Sequence, residues 1–170
     1  MRNVEIKARV KNISKIINIA RTLSGKQEQI IKQHDTFYNC NHGRLKLRKF
    51  ESGEGELIFY DRPDSEGPKL SCYDKSDIPA STTESLHLVL DSALGSKGVV
   101  KKTRLLFMVG QTRVHIDSVE NLGDFMELEV MLNPGQSVEE GEKIANDLRE
   151  KLGVEKEDLL SGAYTDMLAK

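Results

Sequence analysis

Apolar and polar positions along the chain follow two periods. Three stretches alternate charge with aliphatic residues at a period of two: Asn3-Val4-Glu5-Ile6-Lys7-Ala8-Arg9-Val10, Arg44-Leu45-Lys46-Leu47-Arg48 and Phe125-Met126-Glu127-Leu128-Glu129-Val130. A strand sends successive side chains to opposite faces, so each stretch predicts a strand with one ionic and one apolar face. Elsewhere the apolar residues recur at helical spacing. Ile13, Ile16, Ile17, Ala20 and Leu23 share one helical face, and Gly25 stops that helix.

The first strand is expected over about residues 3–11. Residues 29–40 predict a strand with Gln33, Asp35 and Phe37 on one parity, and Asn39-Cys40-Asn41-His42-Gly43 turns the chain into the basic strand. Glu51-Ser52-Gly53-Glu54-Gly55 reads as a hairpin turn with its return strand over 56–62. A loop over 63–68 precedes a short strand over 69–75, and Leu86, Val89, Leu90 and Ala93 align in a helix over 83–94. Residues 99–109 and 112–119 predict a hairpin across Gly110-Gln111, and the acidic strand spans 124–132. Ser137-Val138-Glu139-Glu140 is a capping box opening a helix to Leu152. A final short helix is expected from Glu157 towards Leu168. Strands joined mostly by hairpins, with three or four helices, predict one antiparallel α+β domain over residues 1–170. The apolar parity packs against helices; the charged parity faces either bulk water or an enclosed lumen.

Composition narrows that choice. The 170 residues carry 31% charged side chains but a net charge of only −2. Balanced totals with locally segregated signs argue against a nucleic-acid partner, which calls for a basic excess, and fit a small charged ligand. Cys40 and Cys72 lack metal-ligand or redox spacing and are expected as reduced thiols. No apolar run approaches the roughly 20 residues of a membrane span. The N-terminus enters a strand at once, leaving no room for a signal peptide. The expectation is a cytoplasmic protein with no membrane partner, monomeric or homodimeric.

The charged parity is one-sided. It gathers Lys7, Arg9, Arg44, Lys46, Arg48, Arg62, Lys102, Arg104 and Arg113 against Glu5, Asp117, Glu127 and Glu129. A solvated face mixes signs and uses Ser, Thr and Gln freely. Crowded like charges destabilise a sheet unless opposite charge sits among them, which favours the enclosed lumen. Arginine forks suit phosphate oxygens bidentately and lysines add point charges, so this cluster suits a triphosphate. Glu127 and Glu129 point the same way with Glu5 able to join them, and grouped carboxylates bind hard divalent cations such as Mg²⁺ or Mn²⁺. His115 shares the parity of Arg113 and Asp117, as a proton carrier, a substrate contact or a rim residue. Tyr60 and Tyr164 are candidates to stack on a ligand, close the lumen or pack. His34, His42 and His87 are expected at the surface. No glycine-rich phosphate loop is present, so side chains must hold any phosphate.

With these strands in place the chain resembles the CYTH superfamily, whose name joins class IV adenylyl cyclases and thiamine triphosphatases. The resemblance rests on Asn3-Val4-Glu5-Ile6-Lys7 at an E-x-E-x-K signature, on the basic strand, Leu57 to Arg62, Lys102-Thr103-Arg104 and Arg113 to Asp117. It continues through Leu122-Gly123-Asp124-Phe125-Met126-Glu127-Leu128-Glu129 to Ser161-Gly162-Ala163-Tyr164. It implies an antiparallel eight-stranded β-barrel-like tunnel with a charged lumen and helices packed outside. Carried over, Glu5, Lys7, Glu127 and Glu129 are the catalytic candidates. Glu5, Glu127 and Glu129, with Asp117 close by, are the metal candidates, and the nine cations hold the phosphates. The wording around Gly110 to Asp117 and Leu122 to Phe125 is closest to the class IV cyclase branch. That implies conversion of ATP to cyclic AMP and pyrophosphate. Hydrolysis of tripolyphosphate or thiamine triphosphate stands as the alternative enzyme activity, and a non-catalytic nucleotide- or polyphosphate-binding module as the alternative from another class. The chain departs from the signature at Asn3, a neutral residue where the family often has glutamate.

Overall fold

The three alternating stretches all form strands, and the first is buried on both faces. A computed structural model describes residues 1–168. In β1 (Arg2–Arg9) every residue from Asn3 to Ala8 is buried, the aliphatic ones included. Val4, Ile6 and Ala8 lie beneath helices, while Asn3, Glu5 and Lys7 point into the interior of a barrel. The charged parity therefore faces an enclosed lumen.

The remaining strands are β2 (Gln29–Tyr38), β3 (Arg44–Phe50), β4 (Gly55–Asp61), β5 (Lys69–Ile78), β6 (Ser96–Val109), β7 (Thr112–Val119), β8 (Gly123–Met131) and the short β9 (Leu159–Leu160). They pair in the order β5-β4-β3-β2-β6-β7-β8-β1, and β5 pairs again with β1. All these pairings are antiparallel. Eight strands thus close on themselves, which removes the free edges an open sheet would expose.

Helices α1 (Ile13–Ser24), α2 (Ala80–Leu94) and α3 (Val138–Lys151) lie outside the barrel. The stripe of Ile13, Ile16, Ile17, Ala20 and Leu23 packs into the main core with the outward faces of β1, β7 and β8. Each such aliphatic side chain contributes on the order of 1.5–3 kcal/mol when buried. Asn12 caps α1 and Ser137 caps α3, the latter accepting from the Glu140 amide as the capping box predicts. Helix α3 rides close on β1: a Cβ at Gly141 would stand 2.7 Å from the Val4 side chain.

Strand ends extend beyond the sequence pattern in several places, most clearly β5, which reaches Ile78 rather than residue 75. The expected final helix is broken into three pieces. A 3₁₀ turn (Lys156–Asp158) leads into β9, which pairs with Lys7 and Ala8, and α4 (Tyr164–Leu168) follows. Gly162, at φ +78°, turns the chain between them. This break lets the terminal segment cross one end of the barrel. Cys40 and Cys72 are free thiols. His87 is half-buried rather than at the surface, with Nδ1 2.7 Å from the Tyr38 hydroxyl. No helix among the described residues is long and apolar enough to cross a membrane.

Candidate active site

Counting inward by twos along each strand, the register arranges the lumen in layers. At one end lie Met1, Ile31, Phe50, Leu106 and Met131, with Glu56, Lys75 and Arg113 among them. At the other end lie Phe37, Val100 and Phe125, all buried, and Tyr164 of α4 closes that end against Phe125 with ring centroids 5.0 Å apart. Between them is a charged cavity of about 320 Å³. It is a cup with an apolar collar at the open mouth and an aromatic floor.

The cup has two unlike walls. Strands β3 and β6 supply Lys46, Arg48, Lys102 and Arg104, with Asp35 from β2 between them, while β1 and β8 supply Glu5, Glu127 and Glu129. On the basic wall, Asp35 is the hub. Arg48 grips it with two bonds of 2.9 Å, and Lys102 and Lys46 approach at 3.4 and 3.5 Å. Despite burial, these cations hold the Asp35 carboxyl well below its usual range. Arg104 binds both oxygens of Asp117 at 2.8 Å, and the Tyr164 hydroxyl donates to the same carboxylate at 3.0 Å. Asp117 stays ionised, with its pKa at about 2 against the opposing effect of burial.

Burial also acts on the lysines. It lowers Lys46 to about 7, helped by neighbouring Arg48, and lowers Lys7 to about 8 against the pull of Glu127. Lys102 is lowered for the same reason. These ammonium groups are short of negative charge, and a bound phosphate would supply it.

The acidic wall is looser. Lys7 lies 3.7 Å from Glu127 and directs its ammonium to the Gly162 carbonyl at 3.4 Å. Arg62 holds Glu5 at 2.6 Å and the same carbonyl at 3.0 Å. Among the described residues Glu129 has only Asn3 Nδ2 at 3.3 Å and His115 Nε2 at 3.4 Å. Burial, then the Glu127 and Glu5 charges, raise Glu129 to about 7. Burial and the Arg104 charge keep His115 neutral, its pKa well below the usual value. Five buried polar atoms of residues lining the cup have no partner among the described residues: Asn3 Oδ1, His115 Nδ1, Ser71 Oγ, Arg62 Nε and Gln33 Oε1. Carboxylates gathered in a buried cavity beside unpaired polar atoms fit a divalent cation.

The sequence-derived residues divide accordingly. Glu5, Lys7, Lys46, Arg48, Arg62, Lys102, Arg104, Arg113, Glu127 and Glu129 all line the cup. Arg9 does not: it is exposed at the end of β1 beside the Phe125 ring. Arg44 lies at the closed end, paired with Asp166 at 2.6 Å and Asp64 at 3.2 Å. Asp117 has its oxygens occupied by Arg104 and Tyr164, which binds it into the framework. Asp35 escaped attention as a site residue although its strand parity pointed inward; its partners sit on other strands, so no local motif marks it. The collar was also missed, because its residues are ordinary apolar positions at strand ends.

A comparison with curated proteins finds no significant sequence match. Among solved structures, a protein of Pyrococcus horikoshii is 25% identical, with TM-score 0.81 over 96% of this chain and 98% of its own. A Pyrococcus furiosus protein is 20% identical, with TM-score 0.81 over 96% and 98% of the two chains. A proposed adenylate cyclase of Vibrio parahaemolyticus is 18% identical, with TM-score 0.78 over 99% and 98%. The CYTH domain profile matches residues 1–164, nearly the whole chain and every strand of the cup. With that match and a closed barrel whose ionic parity points inward, the chain belongs to the CYTH family.

Proposed function

We propose that the protein is a divalent-metal-dependent enzyme acting on a nucleoside triphosphate, cyclising ATP to cyclic AMP and pyrophosphate. The observation that carries this reading is the make-up of the cup: a mostly apolar collar at the mouth, then an acidic wall facing a basic one, with Lys7 and Lys102 against Tyr164 at the floor. A triphosphate entering with its phosphates first leaves its base at the collar and its α-phosphate beside Glu129 and Glu127. Its β- and γ-phosphates reach Lys46, Lys102, Lys7 and Arg62. Mg²⁺ or Mn²⁺ held by Glu5, Glu127 and Glu129 would acidify the ribose 3′-hydroxyl and neutralise charge at the α-phosphate.

The protein's own groups do the rest. The 3′-oxygen bonds to the α-phosphorus, its proton passes to a carboxylate of the acidic wall, and the bond to the β-phosphate oxygen breaks. The deep lysines and Arg62 stabilise the negative charge that appears on pyrophosphate. Asp35 and Asp117 hold Arg48 and Arg104 in fixed orientations, so little reorganisation is needed during the reaction. The resemblance in fold to the proposed Vibrio cyclase supports this reading.

Phosphohydrolysis is the second reading, favoured by one observation: a cavity of about 320 Å³ offers a bare tripolyphosphate room without use of the collar. Phosphorus NMR of the protein with Mg²⁺ or Mn²⁺, given ATP, tripolyphosphate and thiamine triphosphate in parallel, decides between them. The expected result is pyrophosphate with a cyclic nucleotide from ATP. Orthophosphate release would establish the hydrolase instead. Shifted signals without product would mean a binding module, and unchanged spectra would remove the triphosphate site altogether.

A further inference from the structure

We infer that His115 is a metal ligand, and that the acidic wall therefore holds a transition ion such as Mn²⁺ in preference to Mg²⁺. The inference rests on the metal site proposed above and adds a nitrogen to it. A ring nitrogen of His115 and one oxygen each from Glu127 and Glu129 lie within 4.8 Å of one another. Ligands about 2.2 Å from a shared ion stand roughly 3–4.4 Å apart, so small side-chain shifts close the set.

The imidazole is only 3% exposed, and its hydrogen bonding is incomplete. With Nε2 protonated, that nitrogen stands 3.4 Å from a Glu129 oxygen and a lone pair on Nδ1 is left unused. With Nδ1 protonated, the Nε2 lone pair faces a carboxylate at 3.4 Å and repels it unless a cation lies between. Asn3 tells the same story from the neighbouring strand. Its Nδ2 is 3.3 Å from Glu129, its Oδ1 is buried without a partner, and a half-turn of the amide presents that oxygen to an ion on Glu129.

The donor set then has consequences for metal choice. Mg²⁺ favours an octahedron of oxygens and keeps several waters. Imidazole is a softer donor that first-row transition ions accept more readily than Mg²⁺ does, whereas the Asn3 carbonyl oxygen and the carboxylates suit Mn²⁺ and Mg²⁺ alike. Oxygen from Glu127, Glu129 and Asn3 with nitrogen from His115 fits Mn²⁺ better than Mg²⁺.

Pulsed electron paramagnetic resonance of Mn²⁺ on the full chain, with excess tripolyphosphate as a nitrogen-free ligand, reads ligation directly. The expected spectrum carries nitrogen-14 modulation from imidazole, absent in His115→Gln. Calorimetry should show the Mn²⁺-to-Mg²⁺ affinity ratio falling about tenfold in that variant. His115 is the one histidine lining the cup among the described residues, so the unmodified protein's spectrum decides the matter even if the variant fails to fold. Bound Mn²⁺ without nitrogen coupling would overturn the inference while leaving the metal site standing. No Mn²⁺ binding at all would overturn both.

Discussion

Two sets of carboxylates enter the same lumen and are held in opposite ways. Asp35 and Asp117 are gripped bidentately by arginines at 2.8–2.9 Å. Among the described residues Glu127 and Glu129, across the cup, have only partners at 3.3–3.7 Å, with unpartnered polar atoms beside them. The first pair has what a buried anion needs from the protein itself. Of the second, Glu129 still lacks it, while Glu127 is held ionised against burial by the Lys7 and Arg104 charges. Charges that complete the framework are separated here from charges left for a ligand, and geometry rather than residue type makes the distinction.

The sharpest way to break this comparison is to remove one member of each set. Asp117→Ala leaves Arg104 buried without its counter-ion and Tyr164 without its acceptor, which should cost about 3–5 kcal/mol in urea denaturation. Glu129→Gln should leave the metal-free protein as stable or more so, because it relieves repulsion from Glu127 and Glu5. Equal destabilisation by both would erase the distinction. In catalysis the order reverses. Glu127→Gln and Glu129→Gln should each lower metal-dependent turnover by about two orders of magnitude while the fold survives. Full activity in both variants would remove the acidic wall from the reaction.

The two walls should also exchange protons in opposite directions. Lys46 and Lys7, at about 7 and about 8, have shed protons at pH 8 that a triphosphate would restore. Binding of tripolyphosphate without metal should therefore take up protons and weaken as pH rises through 7 to 9. Metal binding should release protons near and below pH 7, since Glu129 at about 7 must ionise. Calorimetry in buffers of differing ionisation enthalpy reads both signs. Stability follows the same linkage: between about pH 7 and 10 the unfolded chain holds lysine protons that the fold has lost. These lysines therefore make the ligand-free protein more stable as pH rises through that window.

How much of this could be read from the sequence depends on how local each feature is. Strand alternation in Val4-Glu5-Ile6-Lys7 announces two faces but not which one is enclosed; that follows only when β5 returns to pair with β1 and closes the ring. The acidic wall was legible because Glu127 and Glu129 share one strand and Glu5 lies on its neighbour. Asp35 was not, because its role depends on Arg48, Lys46 and Lys102 from two other strands. The broken C-terminal segment was hidden for a related reason: Leu159 and Leu160 look helical in isolation, and pairing with β1 is a tertiary choice. His115 carried its signal in parity alone.

The smallest expected effect belongs to the collar, and it separates the mouth of the cup from its depth. Phe50 is partly exposed at the mouth, one step outward on β3 from Arg48. Stacking a base on an aromatic ring contributes about 1–3 kcal/mol, and a half-exposed ring belongs at the lower end, roughly 1 kcal/mol or about fivefold in affinity. Phe50→Ala should therefore weaken ATP by that factor and leave tripolyphosphate unchanged. Arg113, exposed at the same mouth, adds positive charge there and disfavours a cationic organic group. Thiamine triphosphate should accordingly bind more weakly than ATP, and Arg113→Gln should narrow that gap. Equal loss of ATP and tripolyphosphate in Phe50→Ala would mean that the collar only supports the basic wall, and the reading of a base-holding mouth would fall while the phosphate site stood.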